Sequence, residues 1–155
     1  MIVNRTLWSL AAAFLFILIG APSEAMAQTR RVSNVDTLRV ERLIRDLETR
    51  RVNGVRSLER AASGTITLVE RLRLRGATQM SIDTVVNHYS RTSRAIRIRI
   101  QAEVNRRVNL EFVRLDAVSG ADDLRAQLIA KRDEVIQQLV QVQDEATADI
   151  LDAAS

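Results

Sequence analysis

Between Gln28 and Ser155 the chain has no proline, and its only glycines are Gly54, Gly64, Gly76 and Gly120. These are the two residues that interrupt helices most effectively, one by losing its amide donor and the other by leaving the backbone unrestrained. A chain so short of both has few places to turn, and long helices use it best. The apolar residues agree. Across 34–75, Val40, Ile44, Leu47, Val55, Leu58, Ala62, Val69 and Leu72 recur at steps mostly of three and four. Gly76–Met80 reads as a loop, with Ser81 the expected N-cap of a second helix and Asp83 in its first turn. That second segment, 82–118, carries Ile82, Val86, Tyr89, Ile96, Ile100, Val104, Val108, Leu115 and Val118, and Ser119-Gly120 is its expected stop.

Asp122 or Asp123 is then expected to cap a third helix over 122–152. Its stripe is Leu124, Leu128, Val135, Leu139, Val142, Ala146 and Ile150. From Leu128 the steps alternate between four and three, broken only by Arg132, which makes this a heptad seam and the candidate helix-pairing surface. The expected fold is all-α: an elongated, antiparallel three-helix bundle resembling a coiled-coil rod, one domain over 34–155 with 28–33 as a short extension. Each long helix buries only a narrow stripe, so the core is thin and self-association is an attractive remedy.

One alternative stays open. Thr65–Arg75 alternates with Ile66, Leu68, Leu72 and Leu74 on one side, and Ala95–Ile100 and Val108–Phe112 alternate too. Period two is the mark of a half-buried strand, so an α+β fold with a small sheet within 65–115 competes with the bundle. If these segments are helical, Leu68, Leu74 and Ile98 fall off the main stripe onto a second apolar edge.

The N-terminus reads as an export signal. Arg5 precedes an uncharged run of 14 residues, Leu7–Gly20, followed by Pro22 and by Ala25-Met26-Ala27. The run is shorter than a membrane span requires. Cleavage after Ala27 is expected, placing the chain in the periplasm or outside the cell, although retention of the signal as an anchor stays open. Cysteine is absent, which removes disulfides, thiol catalysis and Cys-ligated metals. Tyr89 and Phe112 are the only aromatic residues after Ala27, too few for stacking platforms that bind sugars or single-stranded nucleic acid.

Little else suggests chemistry. His88 is the sole histidine and reads as an ordinary polar helix position. The pairs Asp122-Asp123, Asp133-Glu134 and Asp144-Glu145 recur every 11 residues, three helical turns, and read as one solvated acidic face rather than a calcium loop. Phosphate-binding glycine loops and hydrolase motifs are missing. No catalytic, cofactor or metal site is therefore expected, and no small-molecule substrate.

Charge is the remaining signal. Residues 28–115 carry a net +10 and residues 116–155 a net −6, and Lys131 is the only lysine in the chain. The plain expectation is that the acidic end folds back and neutralises the basic part. The sharper one is an arginine patch left open to an anionic partner, formed by Arg71, Arg73 and Arg75 with Arg91, Arg94, Arg97 and Arg99 converging near the 76–81 loop. Three functions follow as expectations. The first is a non-enzymatic interaction or scaffolding protein of the cell envelope, self-associating or binding a protein partner through the heptad seam. The second is a periplasmic holdase-type chaperone, which this chain resembles in composition alone. The third is an arginine-led binder of anionic envelope polymers or lipid head groups. Export and the lack of aromatic residues argue against nucleic acid.

Overall fold

A computed structural model describes residues 30–155 of the chain; the expected signal and its cleavage site lie outside the described residues. The order of elements is β1 (Arg30–Arg31), α1 (Asn34–Leu74), α2 (Gln79–Leu115), β2 (Val118–Ser119) and α3 (Asp122–Ala154). The three helices pack on one another as an all-α bundle, with α2 antiparallel to α1 and α3. At about 1.5 Å per residue, the longest helix spans roughly 60 Å.

Local chemistry sets the ends. Ser33 caps α1, and Asp36 returns a hydrogen bond to the Ser33 backbone, completing a capping box. At the other end Gly76 adopts φ +68. There the Ala77 amide donates to Leu72 O at 3.0 Å and the Gly76 amide to Arg73 O at 2.9 Å, a Schellman closure. The next helix starts earlier than Ser81 suggests: Thr78 is its N-cap, and Ser81 lies within the first turn with Oγ 3.1 Å from Thr78 Oγ1. It also ends earlier, at Leu115 rather than 118. Val118 and Ser119 leave the helical path to pair in parallel with Arg30 and Arg31, so the segment expected to be a loose extension is stitched to the α2–α3 connection. For α3 the N-cap is Ala121; Asp122 and Asp123 stand in the first turn, where their charge favours the helix dipole.

No strand forms within 65–115. The stretches that alternate are helical throughout, because three–four spacing buries Val69, Val104 and Val108 completely and leaves Leu68, Leu74, Ile98 and Leu110 outside. The core runs the length of the bundle in three clusters. The largest includes Val40, Leu47, Leu58, Val104, Leu128 and Leu139; Ala62, Tyr89 and Ile150 anchor the second, and Val69, Ile82 and Ala154 the third. Among the described residues, the buried members of these clusters all come from 40–154. No helix among the described residues is long and apolar enough to cross a membrane.

Candidate functional site

The heptad seam of α3 is occupied within the chain. Leu124, Leu128, Val135, Leu139, Ala146 and Ile150 are buried, and Val142 is half-buried against the main cluster. Their partners are the chain's own α1 and α2, so the seam offers no free surface for a second molecule. What the bundle presents outward is decided instead by its charged side chains.

The register of the helices separates the expected arginine patch. Gly54 on α1 lies against Ile100 and Leu139, and Ala62 shares a cluster with Tyr89 and Ala146. Arg71, Arg73 and Arg75 are thus level with the start of α2, whereas Arg91–Arg99 stand level with residues near 53–61 of α1. The two groups are roughly 25 Å apart along the rod and do not converge. Two members also have structural work. Arg73 donates from Nη1 to the Ala153 carbonyl at 2.8 Å, satisfying an acceptor in the last turn of α3. Arg97 is half-buried and donates from Nε to Gln143 Oε1 at 2.6 Å; Gln143 in turn donates to the fully buried Ser93 hydroxyl at 3.3 Å. Arg94 is exposed on the α3 side of α2.

A longer basic face takes the patch's place. With about 100° of rotation per residue, Arg39, Arg42, Arg60, Arg71 and Arg75 of α1 and Arg99 and Arg106 of α2 fall on the outer sectors flanking the α1–α2 contact, whereas Arg91 shares a groove along α2 with Arg94. All seven are exposed. None has a carboxylate within ion-pair distance among the described residues. The acids beside this contact are already engaged. Asp46 holds Arg50 at 3.0 Å and Arg107 at 3.2 Å; Glu103 holds the same two arginines at 2.7 and 3.5 Å; Glu111 holds Arg114 at 3.1 Å. Four of the seven, Arg39, Arg42, Arg60 and Arg106, are absent from the sequence-derived patch. Their shared helical angle is written in the sequence, but they are scattered along the chain rather than clustered.

The acidic residues gather elsewhere. Glu59 and Glu70 of α1 and Glu145, Asp149 and Asp152 of α3 are exposed beside the α1–α3 contact, also without ion-pair partners among the described residues. Acidic α3 therefore does not neutralise the arginines of α1 and α2. Its acids and those arginines stand on different faces of one rod, which gives the protein a transverse charge separation.

Among the described residues, the ion pair that crosses from α1 to α3 sits further toward the α1 N-terminus. Lys131 Nζ is 2.6 Å from Glu48 and 3.0 Å from Glu134, and Arg51 reaches both Glu48 and Gln138. Hydrogen bonds from Arg51 and then Lys131 hold the Glu48 carboxyl down at about 2. Asp36 is likewise lowered to about 2, first by the Ser33 hydroxyl and then by the Arg30 guanidinium, which meets it at 2.6 Å. Burial pushes the Tyr89 phenol up.

His88 is exposed on α2, with Thr92 Oγ1 3.5 Å from Nε2. No group of three or more His, Asp or Glu residues is arranged to hold a metal among the described residues. The largest grooves are open and lie between helices or along one of them. No protein-family model matches the chain, and neither a curated protein nor a solved structure shows a significant match to it.

Proposed function

We propose that this chain is a non-enzymatic interaction protein of the cell envelope, exported by its N-terminal signal, that captures an anionic partner on the arginine face of α1 and α2. The observation that carries this reading is the sorting of ion pairs. Asp46, Glu103 and Glu111 are held by Arg50, Arg107 and Arg114, while seven neighbouring arginines have no carboxylate partner among the described residues and keep their guanidinium donors for a ligand. Arginine suits the task because it stays charged at any working pH and grips carboxylates and phosphates with paired donors. The scaffolding reading through the α3 seam loses support, since that seam is spent on the bundle's own core.

The test is retention of residues 28–155 on an immobilised sulfated polymer across a salt series. Retention should fall steeply as salt rises, because the attraction is between exposed charges. The double variant Arg60→Gln/Arg99→Gln should elute at lower salt with its thermal midpoint unchanged. Equal elution of variant and wild type removes the arginine face from the reading.

A second reading rests on the transverse charge separation. The acidic face of one rod complements the basic face of another, a head-to-tail contact that does not close on itself. It predicts a mass on a sizing column that grows with concentration at low salt and returns to monomer at high salt.

A further inference from the structure

Arginines alone would suit any polyanion, but one end of the basic face carries something more. Where the start of α1 meets the end of α2, two shallow grooves share Arg39 and Arg42. One is completed by Val35 and Leu38, the other by Leu43, Asp46, Arg107, Leu110, Glu111 and Arg114, with a volume of about 430 Å³. Four large aliphatic side chains stand out of the bundle here: Val35 is 61% exposed, Leu38 55%, Leu110 57% and Val113 70%. Single exposed apolar residues are ordinary on a protein surface; four at one end of one face, interleaved with arginines, are not. Arg39 and Arg42 have no carboxylate partner among the described residues, and Arg106 extends the same face one turn further along α2.

We infer that this end of the α1–α2 face docks on an anionic lipid bilayer, with Val35, Leu38, Leu110 and Val113 entering the interface and Arg39, Arg42 and Arg106 bound to lipid phosphates. The inference rests on the proposed arginine-face function and names the partner of that face. The chemistry selects a bilayer over the other anionic partners. A soluble polyanion offers the arginines phosphate or sulfate but nothing for four aliphatic side chains. A second copy offers carboxylates on its α1–α3 face, at Glu59, Glu70, Glu145, Asp149 and Asp152, in the opposite half of the rod, where the exposed aliphatic neighbours are single residues, Leu74 beside Glu70 and Leu151 beside Asp152, rather than a set of four. A bilayer supplies both at one depth: phosphates at the surface and acyl chains just below, with arginine stems lying along the boundary between them. The residues concerned are aliphatic and lie on the outside of two rigid helices, so the surface needs no rearrangement to engage.

The test is co-sedimentation of residues 28–155, the chain expected after cleavage of the signal, with vesicles of phosphatidylcholine alone or mixed with phosphatidylglycerol. Dextran sulfate binding is measured in parallel at the same salt concentrations. The protein should sediment with the mixed vesicles only. Leu38→Gln/Val113→Gln keeps every charge and should lose about tenfold in vesicle partitioning while binding dextran sulfate as wild type does. Arg39→Gln/Arg42→Gln should weaken both. Since all four positions are exposed, circular dichroism and thermal midpoints should match wild type. Undiminished vesicle binding by Leu38→Gln/Val113→Gln overturns the docking inference and leaves the arginine face standing. Binding of wild type to dextran sulfate but not to vesicles does the same. Failure to bind either one overturns both.

Discussion

Gly54 lies directly against Leu139: a Cβ on residue 54 would stand 2.8 Å from Leu139 Cδ2, and at the same distance from Ile100 Cδ1. All three helices meet at this level, and the missing side chain leaves the room that Ile100 and Leu139 occupy. Gly54→Ala gains about 1 kcal/mol of helix propensity but forces two core side chains to shift together, at a cost of about 1–3 kcal/mol. A net loss of stability is expected in chemical denaturation. Gly64, in the same helix, has no atom within 4 Å of the corresponding position. Gly64→Ala should therefore stabilise by about 0.5–1 kcal/mol. Equal effects at the two sites would contradict the packing described here.

Leu128, Val135 and Leu139 are fully buried. Replacing either leucine by alanine should lower unfolding free energy by about 2–4 kcal/mol, with less for Val135→Ala, from lost burial and residual cavity. Loss of helicity in parallel with loss of stability would show one cooperative bundle.

The arginines of the middle of α2 should behave differently from one another. Arg94→Ala removes an exposed side chain without an ion pair and should change stability by no more than about 0.5 kcal/mol. Arg97→Ala strips Gln143 of a donor 2.6 Å away, next to buried Ser93, and should cost about 1 kcal/mol. Unfolding curves for the pair separate a surface arginine from a structural one.

Acid should weaken the protein through two carboxyls. Asp36 falls from 3.8 to about 2 in the fold, and Glu48 from 4.5 to about 2. A depressed carboxyl stabilises the fold above its unfolded pKa, and that contribution is lost as pH falls through the folded value. The thermal midpoint should therefore drop between pH 4.5 and 2, and the double variant Asp36→Asn/Glu48→Gln should show a shallower fall from a lower starting point. An unchanged slope would mean other groups control the acid transition.

The bundle was legible because apolar spacing is written along the chain: Val40, Leu47, Val69, Val104 and Leu128 lie where the stripes put them, and all are buried. The β1–β2 pair was not, since two-residue strands carry no periodicity and their partners are separated by both α1 and α2. Helix ends near Ser81 and Val118 were misjudged for a related reason. Local capping preference was outweighed by a tertiary pairing in one case and by an earlier start at Thr78 in the other. The arginine face needed more than spacing. Whether Arg97 turns inward and Arg99 outward depends on where the neighbouring helices sit, and only the register of α1 and α3 against α2 decides it.

Arg30 and Arg31 leave the ribosome before almost all of the bundle, yet the strand they pair with, Val118–Ser119, is made only after α2 is complete. The front of a growing chain thus waits, unfastened, for its tail-ward half. Until then the start of α1 is held by its capping box and by its packing against α2. The stitch at the start of α1 is thus the last to become available, and a chain interrupted before residue 118 lacks the fastening that ties that start down.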